Sequence, residues 1–146
     1  MDALIDLAPG AEEHPLGPRL AERIRENVSR VPSRARAFRA LRGAVQIVPF
    51  ETGEALTLRF DHGRCTFHDG SVGVPLITIG GPLDALMRLE EVDLQGFRLT
   101  KRAPRLLSPA LRDLVGRWGR GELEVYGWMS HPRTVVRVIR LLAMPP

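Results

Sequence analysis

The sequence has one cysteine, Cys65, and one lysine, Lys101, among its 146 residues. A single thiol excludes an internal disulfide and any paired-thiol redox motif, and it fits a reducing compartment, so a cytoplasmic location is expected. No stretch approaches the roughly 20 apolar residues of a membrane span. The start, Met1-Asp2-Ala3-Leu4-Ile5-Asp6-Leu7, is acidic and its apolar run is short, which argues against a secretory signal. Aromatic residues make up only 5% of the chain, and no aromatic platform accompanies its most basic stretch. No internal repeat and no low-complexity tract interrupts it.

What the chain does have is arginine. Its formal charge is +4, and residues 19–42 hold eight arginines against Glu22 and Glu26. A basic stretch argues for nucleic acid only when its charges share a face, so compositional bias is the simpler reading. A nucleic-acid or protein interaction domain built on this arginine-rich helix is the alternative kept below, with nucleic acid the weaker partner. At this length one domain with a real core is expected.

Residues 1–17 are acidic, carry two prolines and two glycines, and show no sustained period, so a flexible tail is expected ahead of a domain at 18–146. Leu20, Ile24, Val28 and Val31 then recur at helical spacing, Pro32 interrupts, and a second helical piece carries Phe38 and Leu41 inward. Residues 44–50, 55–60 and 64–68 read as strands joined by turns at 51–54 and Asp61-His62-Gly63, a three-strand meander. Ile77 and Ile79 share one face of a fourth strand, and Pro75 places it at an edge or makes its start irregular. Gly80-Gly81-Pro82 then turns the chain into a helix with Leu83, Leu86 and Met87 in one stripe. Residues 90–105 read as a solvated connection with Arg98, Lys101, Arg102 and Arg105, and Ser108-Pro109 as the cap of a helix bearing Leu111, Leu114, Val115 and Trp118. Residues 121–127 alternate as a fifth strand, and Ser130 and Pro132 open a last helix with Val135, Val138, Ile139 and Leu142 inward and Arg133, Arg137 and Arg140 outward.

Two fragments in this order, Ile77-Thr78-Ile79-Gly80-Gly81 before a leucine-rich helix and Glu124-Val125-Tyr126-Gly127 before a short C-terminal helix, resemble the sterol carrier protein type 2 family over about residues 18–142. The chain departs from that pattern where Trp128 and Met129 follow the last strand's glycine. The resemblance implies an α+β fold: a single five-stranded, largely antiparallel sheet with helices over one face, enclosing an apolar tunnel. It further implies non-enzymatic binding, carriage or presentation of a fatty acyl, sterol-like or prenyl-quinone-like lipid, as in bacterial accessory domains. The lipid contacts would be Leu56, Leu58, Phe60, Ile77 and Ile79 from the sheet, and Leu83, Leu86 and Met87 from the helix after it. Leu111, Leu114 and Val115, with Val135, Val138, Ile139 and Leu142, would complete them from the last two helices. Arg19, Arg23 and Arg30 would offer a transient contact to an anionic membrane or other anion.

Catalytic chemistry has little to stand on. Ser71 and Ser108 lack a nucleophile elbow, and Cys65 alternates with Phe67 as a packed thiol would. Asp61, His62, His68 and Asp69 are residues that hairpin turns favour, so no metal and no cofactor are expected. His131 belongs to a helix start, and the glycines at 116, 119 and 121 follow a helix, the reverse of a phosphate loop. Trp128 reads as an indole sealing the core beside the last helix, with packing over a tunnel or anchoring at a bilayer surface as the alternatives, and Met87 and Met129 as core filling or adaptable lipid contacts.

Overall fold

The computed structural model describes residues 4–92 and 109–143. The cap expected at Ser108 and residues 93–105 of the connection read at 90–105 lie outside them. The start of that connection is not solvated as expected, since Glu90 and Val92 are buried. The chain opens with strand β1 (Leu4–Leu7), a 3-10 turn (Ala11–Glu13), helix α1 (Gly17–Arg30) and helix α2 (Pro32–Ala40). Strands β2 (Arg42–Pro49), β3 (Leu56–Asp61), β4 (Arg64–Asp69) and β5 (Pro75–Gly81) follow. Helix α3 (Leu83–Met87), a second 3-10 turn (Arg88–Glu91), α4 (Pro109–Gly119), β6 (Glu124–Tyr126) and α5 (Pro132–Leu142) complete it. Among the described residues no helix is long and apolar enough to cross a membrane.

Proline sets several of these boundaries. Val31 is extended, at φ −120° and ψ 109°, because Pro32 disfavours the helical region in the residue before it. Pro18, Pro32 and Pro132 then stand in first helical turns, where a missing N–H costs nothing. Ser130 is not the cap of α5: that position is His131, and its side chain makes no capping bond.

The strands form one mixed six-stranded sheet in the order β1-β4-β3-β2-β5-β6. The five-stranded, largely antiparallel arrangement expected from the sequence is therefore corrected in two places. First, residues 4–17 are part of the fold and not a tail beside it: β1 runs parallel to β4, with Ile5 opposite Cys65 and buried. His14, also buried, fixes this segment by bonding the Glu54 carbonyl at 2.8 Å through Nε2 and accepting the Leu16 N–H at Nδ1. Second, β5 does not continue the meander. The chain leaves β4, passes over the outer face of β3 and β2, and pairs parallel to β2 on the far side. The Thr57 hydroxyl holds this crossing by donating to the Gly70 carbonyl at 2.6 Å and accepting the Val72 N–H, and the Gln46 amide donates to the Ser71 hydroxyl. Pro75 thus begins an interior strand, at a register shift opposite Ala44.

Crossing on the outside leaves the inside face apolar. Leu7, Phe67, Leu58, Val45 and Ile77 form one row across it, and Leu56, Ile47, Ile79 and Val125 the next. Helix α1 lies over β1 and β4 and adds Leu20, Ile24 and Val28, while α5 packs on α1 and α2. Each such side chain taken fully out of water contributes about 1.5–3 kcal/mol before entropy. The β3–β4 hairpin turns on His62 and Gly63, both at positive φ, which puts Asp61 and His62 at one end of β4 and His68 and Asp69 at the other. Those four residues do not converge, and among the described residues no group of three His, Cys, Asp or Glu could hold a metal ion.

Candidate functional site

Strand β6 has only three residues, so it brings little side-chain volume to the edge of the sheet. Its Val125 pairs with Ile79, and these two form the floor of a cleft of about 290 Å³. Leu111, Leu114, Val115 and Trp118 of α4 form one wall. Pro132, Val135, Val136 and Ile139 of α5 form the other, and Leu89, Val92, Leu123 and Trp128 close it. Every one of these lining residues is apolar. Among these described lining residues the only hydrogen-bonding side-chain groups are the two indole N–H groups, so the lining they form suits contact with hydrocarbon.

Two polar devices hold the walls. At the inner end of α5, buried Asn27 of α1 donates to the carbonyls of Leu141 at 2.6 Å and Ala143 at 2.8 Å. Arg34 of α2, also buried, donates to the Asn27 side-chain oxygen and to the Ala143 carbonyl at 2.8 Å. These donors satisfy carbonyls that a helix end leaves open, and the guanidinium lies at the negative end of the α5 dipole. On the other wall, Asp113 of α4 meets Arg88 at 3.1 Å, and Arg117 reaches Asp84 of α3 at 2.9 Å. The hydrogen bond from Arg117 holds the Asp84 carboxyl below its ordinary value, and the same bond raises Arg117.

Six of the fifteen sequence-expected lipid contacts line this cleft: Ile79, Leu111, Leu114, Val115, Val135 and Ile139. Leu56, Leu58, Phe60 and Ile77 lie in the core and are not among the lining residues. Leu86, Val138 and Leu142 are likewise buried in the core, and Leu83 and Met87 pack partly buried against it. Trp128 does not seal the core: it stands edge-on to Trp118 at 5.1 Å, and each indole is more than a third exposed, at 40% and 38%. Met129 is exposed and neither packs in the core nor lines the cleft. Leu89, Val92, Leu123 and Val136 had no signal beyond being apolar.

The arginines expected to contact an anion have protein carboxylates beside them. Arg19 grips the nearly buried Glu90 carboxylate through Nε and Nη2 at 2.8–3.0 Å, with Arg23 at 3.8 Å, and Arg30 pairs with Glu26 at 3.1 Å. Hydrogen bonding to Glu90 raises Arg19 further above its usual value. Arg34 is buried, so the basic helices do not present these residues as one exposed stripe.

No family model matches the sequence, and no curated protein matches it. Among solved structures, one titled "UbiJ-SCP2 Ubiquinone synthesis protein" superposes with a TM-score of 0.53 at 18% identity, covering 80% of this chain and 86% of its own. The chain has the sterol carrier protein fold. A crystal structure of sterol carrier protein 2 is similar at 17% identity and a TM-score of 0.48, over 85% of this chain and 91% of that one. Within the sterol carrier protein fold as this chain builds it, the cleft lies between the short edge strand β6 and the helices α4 and α5.

Proposed function

We propose that the protein binds the hydrocarbon tail of a lipid in the cleft between α4, α5 and the β5–β6 edge, and carries or presents that lipid without chemistry. The observation that carries this reading is a cleft of about 290 Å³ whose lining, among the described residues, is entirely apolar. Such a volume stands at the lower end of the roughly 300–1,000 Å³ of small-molecule sites, which suits a tail more than a whole amphiphile. Burying about six methylenes contributes roughly 5 kcal/mol, against the roughly 8 kcal/mol of micromolar binding. The remainder has to come from a longer tail or a polar end. The likeness to a ubiquinone synthesis protein supports including prenyl-quinone-like tails beside fatty acyl chains.

The test fills the space. Ile139, partly buried on the α5 wall, is replaced by Trp, which takes up cleft volume without opening a core cavity. Native mass spectrometry and titration with fatty acyl and prenyl-quinone probes should find a one-to-one complex for the natural chain and at least tenfold weaker binding for Ile139→Trp. Equal binding by both proteins, or none by the natural chain with any probe, refutes the proposal.

A further inference from the structure

A tail in this cleft must leave its polar end at the rim, and on the α5 side that rim carries arginines. Pro132 and Val136 of α5 line the apolar cleft on one side and, on the other, a second groove of about 380 Å³. Its remaining lining, among the described residues, is Arg133, Arg137 and Arg140. Spacings of four and three put these guanidiniums along one stripe of the helix. Unlike Arg19, Arg23 and Arg30, none of the three has a carboxylate at ion-pairing distance among the described residues. The helix itself contains no Asp or Glu.

This arrangement works against the helix that carries it. Like charges one turn apart repel, and a cation in the first turn opposes the positive end of the helix dipole, where Arg133 stands and no acidic residue does; Arg140, in the last turn, is the one of the three that the dipole favours. Local conflicts of this kind are expected at functional sites, and this one borders the apolar cleft. Resting on the lipid-tail reading above, we infer that the ligand is an anionic amphiphile: its carboxylate or phosphate sits on Arg133, Arg137 and Arg140 while its tail enters the cleft past Pro132 and Val136. The guanidinium fork suits both anions, since it offers paired N–H donors to two oxygens.

The experiment compares ligands of one tail length. Tetradecanoate and tetradecyl phosphate are titrated against uncharged monotetradecanoyl glycerol, using the full chain, with inorganic phosphate as a competitor. The anionic ligands should bind at least tenfold more tightly, and the preference should shrink as salt rises. Replacing all three arginines by Gln should bring the three ligands within about twofold, and replacing them by Lys should keep most of the preference. Millimolar inorganic phosphate should not displace the anionic lipids, because it has no tail to bury. Equal affinities in the natural chain overturn the inference and leave the tail reading standing. Displacement by phosphate alone overturns it in favour of a free-anion site, and failure of every ligand to bind overturns the tail reading as well.

Discussion

Asn27 is the residue whose loss the fold should feel most for its size. It is fully buried, yet it is an amide in the middle of an amphipathic helix and donates both amide hydrogens to the end of α5, while accepting from Arg34. Replacing it by Ala removes two neutral hydrogen bonds and one from a charged donor, and strips the Leu141 carbonyl of its Asn27 donor. At about 1 kcal/mol for each neutral bond and 1.5–3 kcal/mol for the charged one, the cost comes to about 3.5–5 kcal/mol. That is a large share of the 5–15 kcal/mol typical of a domain, and it should lower the melting temperature by roughly 10 °C. Asn27→Asp is the discriminating companion. It keeps the shape and an acceptor for Arg34, but it turns a carboxylate oxygen toward the Leu141 and Ala143 carbonyls, so it should destabilise the fold although it adds an opposite charge beside an arginine. Urea denaturation of both variants, with Arg34→Met as the second arm of a double-mutant cycle, measures the coupling. Asn27 and Arg34 should be non-additive by at least about 1 kcal/mol. A loss below about 1 kcal/mol for Asn27→Ala, or an unchanged Asn27→Asp protein, would refute the view that this amide clamps α5.

Three further outcomes follow from the same geometry. Gly127, at φ 82°, turns the chain from β6 toward α5, and a Cβ there would run into the Leu76 carbonyl. Gly127→Ala should therefore cost at least about 2 kcal/mol in thermal or urea unfolding, whereas Gly119→Ala, with open space around it, should change stability by less than about 0.5 kcal/mol. Burial pushes the Cys65 thiol well above its usual range, so alkylation at neutral pH should proceed only as fast as the protein opens, and rapid labelling of the folded chain would contradict the packing. Arg117 depresses the Asp84 carboxyl below 3.8. The pair's contribution is then present at neutral pH and lost as the pH falls through the lower, folded value. The stability difference between the natural chain and Asp84→Asn should shrink over that acidic window, and a difference that does not vary with pH would sink the assignment.

Local pattern determined most of the elements. Alternation at period two marks β3 and β4, helical spacing of Leu20, Ile24 and Val28 marks α1, and prolines at 18, 32 and 132 mark helix starts, because each signal depends only on neighbours a few residues away. The apolar stripe of α5 and its arginine face were equally legible. Strand β1 was not: four residues with Ile5 and Leu7 inward are too short a pattern, and their partner β4 lies some sixty residues along the chain, beyond any local signal. The outside crossing from β4 to β5 was hidden for the same reason, since it depends on Thr57 and Gln46 finding Gly70 and Ser71.

The sequence by itself determined which side chains are apolar and which face of each element they share, for that is a matter of period. Only the tertiary structure decided that Leu56, Leu58 and Phe60 are packed in the core while Ile79, Leu114 and Ile139 border open space. It also decided that Arg19 has an internal partner and Arg133 has none among the described residues. A buried contact and a ligand contact draw on the same residue types, and what separates them is whether the facing element closes the gap.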